Sequence, residues 1–226
     1  MFGLSENQYV DVHTHCHSQD ETVFTIRSLV KPGELELVST LNEPLSVGLH
    51  PWFIEIGENE AVLDTVRKAS HFDHVLAVGE CGMDMLTKIP ASVQEKVFLE
   101  QSKIAEEAGK PLLIHCVRAY SQLVALLKRE KPSIPWIFHG FNHNKQIANE
   151  LIRHGAYLSV GSDLLREHSN IRKSLRSIPM DRIFLETDEY QEPVNKLYTE
   201  ASCILNLSVL QLKAQIFRNF RSCFCP

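Results

Sequence analysis

The stretch SVQEKVFLEQSKIAEEAGKPLLIH, residues 92–115, contains one whole repeat of the fold. Val93, Val97, Ile104 and Ala108 recur at helical spacing, and Phe98 and Ala105 widen the apolar stripe. Pro90 precedes the run, and Gly109-Lys110-Pro111 ends it with a glycine and a proline. Leu112, Leu113 and Ile114 follow without polar alternation, as expected of a strand buried on both faces, and the run closes on His115. The unit is an amphipathic helix leading into an apolar strand that ends in an imidazole.

Further strands are predicted at residues 9–14, 22–29, 45–49, 74–79, 135–139, 156–160 and 182–186. Helices are predicted at 58–70, 120–129, 145–154, 168–177, 195–205 and 208–220. Strands alternating with helices argue for a parallel sheet. About eight of them in 226 residues give a small (β/α)8-type TIM barrel, one domain over residues 1–226. One unit does not fit. The segment from Cys16 to Glu21 is too short for a crossover helix, because parallel neighbours ordinarily need about a dozen residues. The second strand is therefore expected to be antiparallel, off the barrel or misread, and the barrel distorted there, with a shortened first βα unit.

Composition narrows the function classes. With 44% hydrophobic and 23% charged residues, the chain is neither disordered nor fibrous. No apolar run approaches the ~18 residues of a membrane helix, and residues 1–10 carry no basic and apolar leader. Six cysteines are too few for a disulfide scaffold, so reduced thiols and a cytoplasmic setting are expected, with no membrane partner. A net charge of −5 argues against a broad basic surface for duplex binding, though not against a local anion site.

The chemistry lies at the strand ends. The first strand closes with His13-Thr14-His15, whose imidazoles, two apart on a strand, point to one side. Later strands run into Glu80, His115, His139 and, through Glu186-Thr187, Asp188. In an α/β barrel those ends open on one mouth, where active sites are found. Each residue alone has a plain explanation: Glu80 as a helix N-terminal carboxylate, Asp188 as a cap. Repetition is harder to explain that way, since each partly buried polar group without a partner costs roughly 2–7 kcal/mol. Metal coordination supplies the partners. Six ligands exceed the needs of one tetrahedral ion. Two divalent cations are expected, with Glu80 as the natural bridge. Zinc, manganese, iron or, less readily, magnesium suits such a donor set. Cys16, Cys81 and Cys116 are strand neighbours of the ligands and are expected to pack behind the site, and Cys223-Phe224-Cys225 to belong to a frayed tail.

These segments resemble the TatD family of metal-dependent deoxyribonucleases among the amidohydrolase-type barrels. The resemblance rests on Val10-Asp11-Val12-His13-Thr14-His15-Cys16-His17, Val47-Gly48-Leu49-His50-Pro51 and Val78-Gly79-Glu80-Cys81-Gly82-Met83-Asp84, with Gln94 and Phe98 after it. It continues through Lys110-Pro111-Leu112-Leu113-Ile114-His115-Cys116, Phe138-His139-Gly140-Phe141, Gly155-Ala156-Tyr157-Leu158-Ser159 and Phe184-Leu185-Glu186-Thr187-Asp188. It implies a distorted barrel in which His13, His15 and Asp188 serve one ion, His115 and His139 the other, and Glu80 both. It also implies phosphodiester hydrolysis, of the 3′ to 5′ exonuclease type, on single-stranded DNA or nucleic-acid ends. Three features depart from the family. Residues 17–48 lack the usual first crossover helix. Glu189-Tyr190-Gln191-Glu192-Pro193 replaces a Ser-Pro loop. Val117 stands where an arginine usually does, with Arg118 next.

The expected mechanism is attack by a water made acidic by the cations, with Asp188 as general base and Glu80 holding both ions. His50, Trp52 and Arg118 are the candidate substrate contacts. Trp52 could stack on a base or simply pack in its loop. The competing readings are a hydrolase of esters, lactones or amides on the same barrel, and a catalytically silent binding module. The complete set of ligand-type residues counts against the latter.

Overall fold

The apolar runs form eight strands: β1 (Tyr9–Thr14), β2 (Val23–Leu29), β3 (Leu45–Val47), β4 (Val75–Asp84), β5 (Leu112–Val117), β6 (Trp136–Phe138), β7 (Tyr157–Val160) and β8 (Ile183–Leu185). Between and after them lie α1 (Pro32–Leu35), α2 (Glu60–Ala69), α3 (Ala91–Ala108), α4 (Tyr120–Glu130), α5 (Lys145–Arg153), α6 (Asn170–Ser174), α7 (Asn195–Leu205) and α8 (Val209–Phe224). The computed structural model describes residues 4–17 and 20–225. The strands form one sheet in chain order, β1 to β8. Beyond β8 the chain bridges back to β1 in parallel, Thr14 against Asp188, so the fold is of the (β/α)8 barrel class. Among the described residues no helix is long and apolar enough to cross a membrane.

The second strand corrects the expectation drawn from loop length. β2 lies beside β1 and is parallel to it, Tyr9 opposite Val23 and Thr14 opposite Arg27, with a register shift between Asp11 and Thr14. Only eight residues, 15–22, join the two strands, and residues 18 and 19 lie outside the described residues. Eight residues at ~3.3 Å each reach ~26 Å, enough to return along a six-residue strand without a helix. The dozen-residue rule applies to a crossover that carries a helix; an extended return needs less. Two further expectations change. Cys16 follows the end of β1 and is exposed rather than packed behind a strand. The tail is not frayed at Cys223, which is fully buried on α8.

The chain divides into two units, Met1–Arg27 with Phe138–Pro226, and Ser28–Ile137. In the first, β1 is held by α7 and α8. Tyr198 on α7 is fully buried, and its hydroxyl accepts from the Val10 N–H at 2.9 Å and donates to the Val10 carbonyl at 3.0 Å. Phe24 of β2 meets Phe220 of α8 edge to face at 5.2 Å. Asn219 donates from Nδ2 to the carbonyls of Met180 and Ile183, both at 2.8 Å, and ties α8 to β8.

In the second unit β4 lies between β3 and β5, both parallel to it. It runs on to Asp84, five residues past the predicted end. Gly79 and Gly82 make that possible. Their φ values are +129° and +153°, and a Cβ on either would overlap the carbonyl oxygen of Leu113 or His115 on β5.

Tyr198→Phe should leave the buried N–H and C=O of Val10 without their side-chain partner. A loss of about 1–3 kcal/mol is expected, read as a lower urea midpoint at unchanged slope.

Candidate metal centre

In the first unit, three loop and strand ends gather around one carboxylate. Asp188 has a left-handed φ of +56°, which aspartate tolerates better than most residues. Its backbone is fixed on β1: its N–H donates to the His13 carbonyl at 2.9 Å, and its carbonyl accepts from His15 N–H at 3.2 Å and from Thr14 Oγ1 at 3.0 Å. Its Oδ1 stands 3.5 Å from His13 Nε2 and 3.6 Å from His15 Nε2. Donor atoms of His13, His139 and Asp188 all lie within 4.8 Å of one another. Two ligands each ~2.1 Å from a tetrahedral ion sit ~3.4 Å apart. The spacing is long for a hydrogen bond and suited to donors that share a cation. The set of imidazoles and a carboxylate, with Asp188 half-exposed at its rim, fits a divalent metal.

Two carboxylates behind these groups were not assigned a role from sequence. Asp11 is buried. Its Oδ1 accepts from the Thr187 N–H at 3.0 Å and its Oδ2 from Thr187 Oγ1 at 2.7 Å, which sets the turn that delivers Asp188. Burial pushes the Asp11 carboxyl up to about 7, against the pull of the Thr187 bonds. Glu186 is also fully buried. Its Oε1 accepts from the Gly140 N–H at 2.5 Å and stands 3.4 Å from His139 Nδ1, whereas its Oε2 has no hydrogen-bond partner among the described residues.

In the second unit, His50, Glu80 and His115 form the corresponding cluster. Here the groups are in direct contact: His115 Nδ1 is 2.7 Å from Glu80 Oε1, and His50 Nε2 is 3.3 Å from the same oxygen. His50 is buried, and its Nδ1 accepts from the Trp52 N–H at 3.1 Å, so Nε2 carries the proton in the neutral ring. Asp84, another residue without an assigned role from sequence, stands with Oδ2 3.4 Å from His115 Nε2. Burial raises the Asp84 pKa, but bonds from Trp52 and Leu86, with the His115 charge, outweigh it and leave it lowered. Cys81 is buried and its thiol is pushed well up by burial, with Glu80 adding to the effect; burial pushes Cys116 up to about 12. Trp52 and Arg118 are exposed, Arg118 with a φ of +52°.

Helix α3 positions this cluster. Gln94 and Gln101 are seven residues apart, two turns along one face, and both are fully buried. Gln101 accepts from the Leu49 N–H at 2.7 Å and donates to the Leu49 carbonyl at 3.0 Å, next to His50. Gln94 does the same for Asp84, at 2.7 and 3.0 Å.

Comparison with known proteins shows the family. The family model described as TatD related DNase matches residues 32–224, a span that begins after His13 and His15. An uncharacterized metal-dependent hydrolase of Bacillus subtilis, YabD, is 32% identical over 146 residues, 63% of this chain and 57% of its own. A protein named 3′-5′ ssDNA/RNA exonuclease TatD from Cronobacter sakazakii is 32% identical over 148 residues, 63% of this chain and 56% of its own. The matched part thus spans little more than half the length of either relative. Among solved structures, the TatD homolog YjjV of Escherichia coli superimposes with a TM-score of 0.82 at 20% identity, covering 97% of this chain and 99% of that one. A TatD family hydrolase of Entamoeba histolytica gives 0.81 at 15%, over 97% and 99%. These likenesses cover the fold from its first strand.

Gln94→Leu should fill the same space but remove the side-chain partner of the buried Asp84 N–H and the bond to the Ile89 carbonyl, while the Asp84 carbonyl keeps the bond from Thr87 Oγ1. A loss of about 2–4 kcal/mol is expected in urea unfolding, well beyond an exposed Gln→Leu control.

Proposed function

Because the chain belongs to the TatD related DNase family, whose relatives are named as metal-dependent hydrolases, we propose that it hydrolyses phosphodiester bonds at the ends of single-stranded nucleic acid. The observation that carries this reading is the placement of Asp188 Oδ1 3.5 and 3.6 Å from two imidazole nitrogens. The relative named as an exonuclease supports the substrate class.

Six residues are proposed as ligands of two divalent cations, zinc, manganese or magnesium. His13, His15 and Asp188 would serve one; the pairing of His115 with His139 at the other, and the sharing of Glu80, follow from the family resemblance alone. Bound there, such cations would lower the pKa of a water toward about 7 and polarise a phosphoryl oxygen. The chain's own groups do the rest. Asp188 is half-exposed and its backbone is tied to β1, so a carboxylate oxygen is held ready to accept the proton of the attacking water. Glu186 faces His139 Nδ1, which favours the proton on that nitrogen and leaves the Nε2 lone pair for a ligand role. Asp11 keeps the Thr187–Asp188 turn in place through Thr187. Trp52 and Arg118 would contact the substrate. His50 would do so through Nε2, by giving up its approach to Glu80.

Chelation should abolish hydrolysis, and Mn²⁺, Zn²⁺ or Mg²⁺ should restore it to different degrees. The assay sets short single-stranded DNA against a panel of esters, lactones and amides. Turnover that survives exhaustive chelation would sink the mechanism, and activity confined to the panel would move the protein to a different hydrolase class.

Asp188→Asn keeps the shape but removes the basicity. Turnover should fall by about 10²–10⁴-fold while most of the metal stays bound. Glu80→Gln should instead lower the metal content itself, because the negative charge is lost. Near wild-type turnover by Asp188→Asn at full metal content would place the base elsewhere.

A further inference from the structure

Trp52 combines two properties that rarely coincide: it is 61% exposed, and it is fixed at both ends. Its backbone N–H is bound to His50 Nδ1, and its indole Nε1–H donates to Asp84 Oδ2 at 2.7 Å. Asp84 is buried, and its own N–H and C=O are bound by Gln94 on α3. The other carboxylate oxygen, Oδ1, accepts from the Leu86 N–H at 2.8 Å. Leu86 is 62% exposed. One buried carboxylate therefore holds two exposed apolar residues. The indole stands edge to face against His50 at 4.8 Å, and its centroid is 6.3 Å from that of His115.

We propose that Trp52 and Leu86, held by Asp84, form a platform for one unstacked base at the end of a single strand. The inference rests on the nuclease reading and names the part of the substrate that this site takes. With its N–H already bound to Asp84, the indole offers an incoming group only its face, and every base has a π-face to match it. Recognition there is tolerant of sequence, as an enzyme that removes successive nucleotides needs. A paired and stacked base offers no free face, so the platform selects unpaired ends. The ring is already held in place, so little side-chain freedom is lost when the base arrives. Asp84 is a positioning residue: it acts through the indole.

The chain reports on this surface directly. It has two tryptophans, and Trp136 is only 1% exposed, so quenching of emission by an added strand reads Trp52. The metal-loaded protein is titrated with a short phosphorothioate single strand, and with the same strand whose terminal nucleotide is abasic. The intact strand should quench the exposed emission. The abasic strand, with the same phosphates, should leave it unchanged and bind about 10- to 100-fold more weakly by anisotropy. Trp52→Phe keeps a ring and should retain most of the affinity, with no quenching left. Trp52→Ala should bind intact and abasic strands alike. Equal binding of both strands by the wild-type protein, or unquenched emission at saturation, would overturn the platform and leave the nuclease reading standing. Failure of every strand to bind would overturn both.

Discussion

Ionisable side chains at the ends of apolar strands must be partnered, and much of the structure around the candidate site answers that requirement. A buried carboxylate or imidazole without a partner costs several kcal/mol, a large fraction of what a domain has to spare. Asp11 answers with two bonds from Thr187, Glu80 with His115, and Asp84 with Trp52 and Leu86. Gln94 and Gln101 extend the same logic to the backbone by binding both the N–H and the C=O of a strand-end residue. The partners that satisfy the polar groups also fix their directions.

The two donor clusters meet the requirement in different ways. Around Asp188 the imidazole nitrogens stand 3.5 and 3.6 Å from the carboxylate oxygen, a spacing that suits a cation between them. Around Glu80 the His115 contact is 2.7 Å, a full hydrogen bond. A cation taken by His115 Nδ1 would have to displace that bond. One taken by Nε2 would leave the bond in place and let Glu80 orient the ring. In the second case Asp84, 3.4 Å from Nε2, would lie close to the ion.

Much of this was legible in the sequence, for physical reasons. Strands buried on both faces read as unbroken apolar runs, so β1 and β5 to β8 lie within a residue or two of their predicted bounds. α7 coincides with its predicted span and closes on Asn206 in the left-handed conformation. β4 was cut short because Glu80 and Gly82 interrupt its pattern, although close approach to β5 is what demands Gly82. β2 lies within a residue of its predicted bounds but runs parallel to β1, because an extended connection can return along a short strand without a crossover helix. Histidines and acids at strand ends announce themselves. Asp11, Asp84 and Glu186 do not, since their importance lies in which N–H groups they receive from segments distant in sequence.

The short return between β1 and β2 leaves the apolar side chains of these strands to be covered from elsewhere, and α7 and α8 do it, through Tyr198 on Val10 and Phe220 on Phe24. Val10 and Tyr198 are 188 residues apart. At ~5–20 residues per second, a ribosome takes on the order of 10–40 s to make the intervening chain. Through that interval the first two strands have neither their cover nor the Thr14–Asp188 bridge. The order of synthesis thus runs against the order of packing. β1 and β2 are made before the helices that cover them and are buried late.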